Sequence, residues 1–287
     1  MKRVVTLQDI SCVGKCSLTA AIPVLSCLGV EASVIPTALL STHTAFESFI
    51  AYDLSDKIGE ISAQLIENNI RFDAIYTGYL GSIKQIEEIS AFIDRFRHGD
   101  CLVVVDPAMA DDGMLYSGLP DDFVDHIHPL ISKADVIIPN LTEACMLLDM
   151  DYSEPSGFSM REISEMLSQL SDMGPEKVVI TGIHFDECSM GAVSYDRATD
   201  KVYTAENTKH NGRYLGTGDI FSSVVTGCLL EDQTIAEASK HAVDFVNRCI
   251  EETEKAPDKR WYGVNFESCL GELCKTGMAF NKSESEE

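Results

Sequence analysis

Cys101-Leu102-Val103-Val104-Val105-Asp106-Pro107 is the stretch on which the fold reading turns. Four apolar residues follow Cys101, and no polar residue separates them. Such a run predicts a strand buried on both faces. Residues 123–131 then predict a helix, and 136–138, closed by Pro139, predict the next strand. Strand, helix, strand in that order is a βαβ unit. The alternation extends in both directions. Strands are predicted at 4–7, 32–35, 74–76 and 178–180, and helices at 17–28, 58–70, 83–96, 142–148 and 160–170. Gly29 ends the first of these helices in the manner of a left-handed cap. Residues 37–57 and 149–157 read as loops. The last third differs: segments 192–195 and 201–204 predict a β-hairpin around Asp196-Arg197-Ala198-Thr199-Asp200, followed by two helices at 216–230 and 235–252. The expected class is α/β, with a mostly parallel central sheet, helices on both faces and a C-terminal β-hairpin followed by helices. Ligands of such sheets bind outside the carboxyl ends of the strands. The residues that fall there are Gln8-Asp9, Thr37, Thr77-Gly78-Tyr79, Asp106-Pro107, Pro139-Asn140 and Thr181-Gly182.

Composition narrows the partners. In 287 residues there are 22 Lys and Arg against 46 Asp and Glu, a formal net charge of −24. A surface that tracks nucleic acid needs clustered cations, so nucleic acid is not expected as the partner. The start of the chain has no apolar run of signal-peptide length, because Gln8 and Asp9 interrupt it, and no stretch is long and apolar enough for a membrane helix. The expected compartment is the cytoplasm. Residues 1–280 are expected to form a single domain, with 281–287 a polar, frayed tail. The ten cysteines are scattered through apolar segments with no Cys-x-x-Cys pair, and are expected to be reduced thiols, mostly in the core. His126 and His128 are two apart and share no helix face, which suits surface or boundary positions.

The strongest local signal is Gly216-Thr217-Gly218-Asp219, which opens a long apolar helix. Glycines let successive N–H groups turn outward, and a helix start adds partial positive charge, so the segment suits phosphate oxygens. Asp219 reads equally as a residue that favours the helix dipole and as a general base beside a transferring phosphate. A dinucleotide fingerprint would need a glycine where Phe221 stands. Gly14-Lys15-Cys16-Ser17 resembles the end of a P-loop, but Asp9 and Cys16 occupy positions that a Walker A motif gives to Gly and to Ser or Thr. Gly14-Lys15 still follows the first strand and stands where a ligand contact is expected. Asp106, with Asp111 and Asp112 close behind, puts carboxylates at a strand end, where they suit a cation or solvent. Asn140 and Glu143 are three apart and suit either hydrated Mg²⁺ or a helix capping box. Serine-hydrolase elbow and zincin motifs are absent from the sequence.

In this order the pieces resemble the vitamin-kinase branch of the ribokinase-like superfamily, and within it the pyridoxal/pyridoxine/pyridoxamine kinases. The resemblance is carried by Gln8-Asp9-Ile10-Ser11-Cys12-Val13-Gly14, Ser41-Thr42-His43-Thr44, Thr77-Gly78-Tyr79-Leu80-Gly81-Ser82, Asp106-Pro107-Ala108-Met109-Ala110-Asp111, Pro139-Asn140-Leu141-Thr142-Glu143 and Gly216-Thr217-Gly218-Asp219. It implies an ATP-dependent kinase acting on the 5′-hydroxymethyl group of a B6 vitamer. Asp219 would be the base, and Gly216, Thr217 and Gly218 would form the anion hole. Asp106, Asn140 and Glu143 would organise the triphosphate and Mg²⁺, with Asp106 and Glu143 the metal carboxylates. Thr181 and Gly182 would lie near the ATP phosphates, and Tyr116 would close over them. Asp9, Ser11, His43, Thr44 and Tyr79 would line the acceptor pocket. The resemblance also implies a homodimer and leaves room for a monovalent cation. Asp9 stands where many of these kinases carry serine, and Asp9-Ile10-Ser11 looks partly like the start of the hydroxymethylpyrimidine kinases. That activity, and a non-catalytic vitamer or nucleotide binder, remain the alternatives.

Overall fold

Val5 and Leu7 pack on one side of the sheet and Val4 on the other, and the same alternation at Val103 and Val104 divides the interior into two apolar layers. The computed structural model describes residues 1–152 and 157–274. The tail expected at 281–287 lies outside the described residues, as do residues 153–156 of the expected loop. The strands are β1 (Arg3–Ser11), β2 (Glu31–Leu40), β3 (Ala51–Asp53), β4 (Ala74–Thr77), β5 (Leu102–Val105), β6 (Ala110–Asp111), β7 (Met114–Leu115), β8 (Val136–Ile137), β9 (Lys177–His184), β10 (Ser189–Asp196) and β11 (Lys201–Thr208). The helices are α1 (Ser17–Cys27), α2 (Ser55–Glu67), α3 (Ile83–Phe96), α4 (Phe123–Ile131), α5 (Leu141–Leu147), α6 (Met160–Asp172), α7 (Thr217–Leu230) and α8 (Ile235–Lys255).

The main sheet has nine strands in the order β11-β10-β9-β8-β5-β4-β1-β2-β3. From β9 to β2 all neighbours are parallel, while β10, β11 and β3 run antiparallel at the two edges. One face carries α3, α4 and α6 through residues such as Ile89, Phe123 and Leu167, and the other carries α1, α7 and α8 through Val24, Val224 and Ala242. The α/β expectation therefore holds, including the hairpin β10–β11 and the two helices after it. All ten cysteines are free and most are buried.

Two expectations need correction. Residues 37–57 are not all loop: β2 runs on to Leu40, and β3 pairs with it antiparallel, Ala38 opposite Asp53 and Leu40 opposite Ala51. Pro36 lies within β2. It is accommodated because β3 pairs only with Ala38–Leu40, so β2 is still an edge at the proline. Asp9 does not end β1, which continues to Ser11. Instead the β1–β2 register shifts between Gln8 and Ile10, so that Thr37 and Ala38 oppose Asp9 alone. A bulge of this kind re-aims a side chain, and here it sits where β4 has already stopped at Thr77. Beyond Leu7 the sheet opens between β1 and β4, at the point where strands on either side belong to different βαβ units.

Candidate active site

A cleft of about 910 Å³ lies along the carboxyl ends of the parallel strands. At its floor α7 begins. Gly216 caps the helix with φ 79°, a left-handed conformation, and a Cβ built there would lie 2.0 Å from the Lys15 carbonyl oxygen. Only glycine lets the two loops meet so closely. The Thr217 hydroxyl donates to the Tyr214 carbonyl at 3.0 Å, so it holds the loop, and the anion-binding groups left at this helix start are backbone amides. Asp219, in the first turn, is buried. Its pKa rises to about 7 through burial and then through repulsion by Asp106, while the Ser17 amide acts in the opposite direction.

Asp106 follows β5 and accepts hydrogen bonds from Ser222 Oγ at 2.6 Å and from the Ala108 amide at 3.1 Å. Burial raises its pKa to about 6. Glu143 Oε1 accepts from the amides of Met109 (2.8 Å) and Ala110 (3.3 Å), and Oε2 from the amide of Asn140 (2.8 Å). Asn140 Oδ1 accepts from the Glu143 amide at 2.9 Å, and its Nδ2 donates to the Ala110 carbonyl at 2.7 Å. The capping-box reading of this pair is thus realised, and the pair also ties the β5–β6 loop to the start of α5. Burial first, and Asp106 second, push Glu143 up to about 8.

Three buried carboxylates therefore meet at one end of the cleft with no lysine or arginine paired to them among the described residues. Among the described residues no group of three or more His, Cys, Asp or Glu is arranged to hold a metal by itself. That combination fits a hydrated Mg²⁺ carried in by phosphates, since Mg²⁺ keeps several waters and takes one or two carboxylates. Arg213 is the single Arg or Lys among the described residues lining the cleft, and it lies 3.7 Å from Asp111 at the mouth. Thr181 and Gly182 border the same end. Thr181 bridges to Asn140, and Gly182 has φ 75° with no neighbouring atom within 4 Å of an added Cβ. Tyr116, after the small β6–β7 hairpin, stands over the cleft with its ring 6.3 Å from that of Tyr79.

The other end of the cleft is built from β1, the loop after β2 and the loop after β4. Asp9 is buried and accepts a 2.6 Å hydrogen bond from Ser17 Oγ, and burial raises its pKa. Ser11 lies beside it. His43 Nδ1 accepts from the Ala45 amide at 2.9 Å, which leaves the ring proton on Nε2. Burial, helped by Arg213, keeps this histidine below its ordinary pKa, so the ring is neutral. Thr44 follows it at the cleft edge. Phe46 in the same loop packs on Trp261 and Tyr262 at centroid distances of 4.5 and 5.5 Å, which anchors the loop. Burial and Asp9 raise the Tyr79 phenol, keeping it a hydrogen-bond donor.

The residues to which the resemblance gives an acceptor, phosphate or base role thus all lie on one cleft. Lys15 does not. Its Nζ contacts the Val264 carbonyl (3.1 Å), Asn265 Oδ1 (3.1 Å) and Glu267 Oε2 (2.8 Å), so it clasps a C-terminal segment instead of a ligand. Sequence reasoning passed over Ser17, Arg213 and the apolar wall of Phe221, Val243, Val246 and Ile250. On α8 the last three stand at i, i+3 and i+7, a stripe that reads as core and that also faces the cleft.

Fold and cleft together define a ribokinase-like phosphotransferase that acts on an alcohol. The chain belongs to the phosphomethylpyrimidine kinase family, whose model matches residues 14–263. It is similar to a Bacteroides thetaiotaomicron protein described as a phosphomethylpyrimidine kinase and crystallised with pyridoxal: 38% identity, TM-score 0.90, with 95% of each chain covered. It is also similar to pyridoxal kinase from Lactobacillus plantarum, at 30% identity and TM-score 0.86 over 99% of each chain. Pyridoxal kinase from Dictyostelium discoideum is 25% identical over 270 residues, covering 88% of this chain and 87% of that one.

Proposed function

We propose that this protein transfers the γ-phosphoryl group of ATP to the 5′-hydroxymethyl group of pyridoxal, pyridoxine or pyridoxamine. The observation that carries the reading is the placement of Asp219. It is a buried carboxylate at the helix start that supplies the anion hole, set between a phosphate end rich in carboxylates and an acceptor end lined by Asp9, His43 and Tyr79. A module that only bound a vitamer would have no use for a base there. The similarity to proteins named pyridoxal kinase and to a structure with pyridoxal supports the acceptor class.

In the reaction, ionised Asp219 takes the proton of the acceptor hydroxyl. The freed oxygen attacks the γ-phosphorus as the bond to the ADP oxygen breaks. The amides from Gly216 to Gly218 receive the charge on the transferring group. Asp106 and Glu143 would hold Mg²⁺, which supplies charge neutralisation for the triphosphate. Asn140 fixes Glu143, and Thr181 and Gly182 border the phosphates. Tyr116 and Tyr79 exclude water from above. A monovalent cation would join the phosphate end. The ten free cysteines support a reducing compartment such as the cytoplasm. No helix among the described residues is long and apolar enough to cross a membrane. Exposed Val34, Leu39, Ile50 and Tyr52 on and beside the β2–β3 edge support a homodimer, which light scattering tests.

The deciding experiment is ADP release with Mg²⁺-ATP and a panel of pyridoxal, pyridoxine, pyridoxamine and hydroxymethylpyrimidine. Turnover of the B6 vitamers, lost in excess chelator, is expected. Turnover of the pyrimidine alone would replace the substrate class, and ADP release with none of the four would leave a binding protein.

A further inference from the structure

Ser17 is conformationally out of place. It is the first residue of α1, it is buried, and its φ is +45°, a value that side-chain-bearing residues rarely adopt. Its hydroxyl donates to Asp9 Oδ1 at 2.6 Å, a short charge-assisted bond in a buried setting. Its amide faces the carboxylate of Asp219, which it helps keep ionised. One residue thus touches the acceptor end with its side chain and the base with its backbone. A helix N-cap role does not explain it: the cap is Cys16, and the Thr19 amide and hydroxyl close that turn. Strained residues persist where their surroundings hold them, and such positions cluster at functional sites.

We propose that Ser17 is a positioning residue for acceptor selection, its hydroxyl fixing one oxygen of Asp9 so that the other is the oxygen presented to the acceptor. The inference rests on the vitamer-kinase reading above and deepens it. Asp9 has no lysine or arginine partner among the described residues: Ser17, its own amide and Ser11 donate to its carboxylate, and no cation of the protein pairs with it. The group that answers it is a cationic atom of the acceptor, the protonated ring nitrogen or the amine of pyridoxamine. Without the Ser17 hydroxyl, Asp9 keeps only its own amide and Ser11 as donors, its orientation is no longer set from α1, and discrimination among vitamers is expected to fade.

The test uses Ser17→Gly and Ser17→Ala. Glycine keeps the amide and removes the cost of the positive φ, so Ser17→Gly is expected to melt no lower than wild type. Both variants are expected to lose roughly tenfold or more in kcat/KM for the preferred vitamer, mainly through its KM, with the preference among vitamers flattened and KM for ATP unmoved. In an Asp9→Asn background the Ser17 substitutions are expected to add little, because the hydroxyl acts through that carboxylate. Calorimetric titration of each vitamer runs alongside the kinetics. If wild type discriminates among vitamers and Ser17→Gly discriminates equally, Ser17 has no positioning role while the functional reading stands. Losses that add to those of Asp9→Asn likewise overturn the proposal alone. A wild-type protein that neither binds nor phosphorylates any vitamer takes down the functional reading and this proposal with it.

Discussion

Gly216→Ala is expected to damage the protein twice over, by amounts the structure sets. The left-handed φ of 79° costs an alanine about 1–2 kcal/mol. The added methyl would also lie 2.0 Å from the Lys15 oxygen and 3.1 Å from its carbonyl carbon. These are backbone atoms, so no rotamer change relieves the contact, and either the 14–17 turn or the start of α7 must move. With that displacement the loss is at least ~2 kcal/mol, which for a chain of this size lowers Tm by about 3 °C or more. The amides that face the transferring phosphoryl group move with it. Loss of one such donor typically costs ~10²–10³ in kcat. Gly218→Ala is the matched comparison. Gly218 lies inside α7 at an ordinary φ, and nothing lies within 4 Å of its Cβ position. Alanine is the better helix former by up to ~1 kcal/mol, so Tm is expected to hold or rise slightly. Any penalty should appear in KM for ATP, because the methyl enters the open cleft. Scanning calorimetry and coupled ADP-release kinetics on the two variants read this out. A Gly216→Ala protein melting within about 1 °C of wild type, with kcat within about threefold, would refute the steric and electrostatic reasoning together.

Asp219→Asn is expected to lower kcat by ~10²–10⁴ with ATP affinity little changed, and binding titrations beside turnover check both halves. Because the Asp219 pKa is raised to about 7 and the base must be ionised, kcat/KM of wild type should climb with pH through about 7 and then level. Asp219→Asn should lack that limb, and a limb that survives would assign it to another group. Glu143, pushed up to about 8, binds its proton more tightly folded than unfolded, so its contribution to stability is present in full below the unfolded value of 4.5 and is lost as pH rises toward about 8. The ligand-free Tm should therefore fall across that window, and less so in Glu143→Gln. Lys15→Met should lower Tm by about 3 °C, from the loss of bonds worth ~2 kcal/mol, and leave KM for ATP alone. A raised KM without a stability change would instead return Lys15 to the phosphates.

The cleft was legible where chemistry and position coincide. Asp106, Asn140 and Gly216 each follow a strand or open a helix, so a strand-by-strand reading of the carboxyl rim finds them; Thr181 was found although β9 runs on past it to His184. Asp9 was found for a reason that proved incomplete. It does not end its strand, and a bulge aims it, which alternation in the sequence cannot announce because the extra residue belongs to β2. The strand β3 was missed because Ala51-Tyr52-Asp53 is too short to show a period. Ser17 was missed because a serine before an apolar run reads as an ordinary helix start, and the turn that carries its positive φ meets Gly216, more than 190 residues further along the chain. Lys15 misled for the complementary reason. A Gly-Lys after a first strand suggests phosphate, and the partner that claims the ammonium group lies 249 residues away.

That clasp bears on how the molecule is made. Lys15 is synthesised 249 to 252 residues ahead of its three partners at 264–267. The turn it belongs to abuts Gly216, and Ser17 in the same turn reaches both Asp9 and Asp219. A nascent chain can therefore pair β1 with β2 and β4 while its catalytic corner is still open. Closure waits on contacts of very large sequence separation, the kind that form slowly. The corner that carries phosphoryl transfer is in this sense completed late, after residues 264–267 have been made.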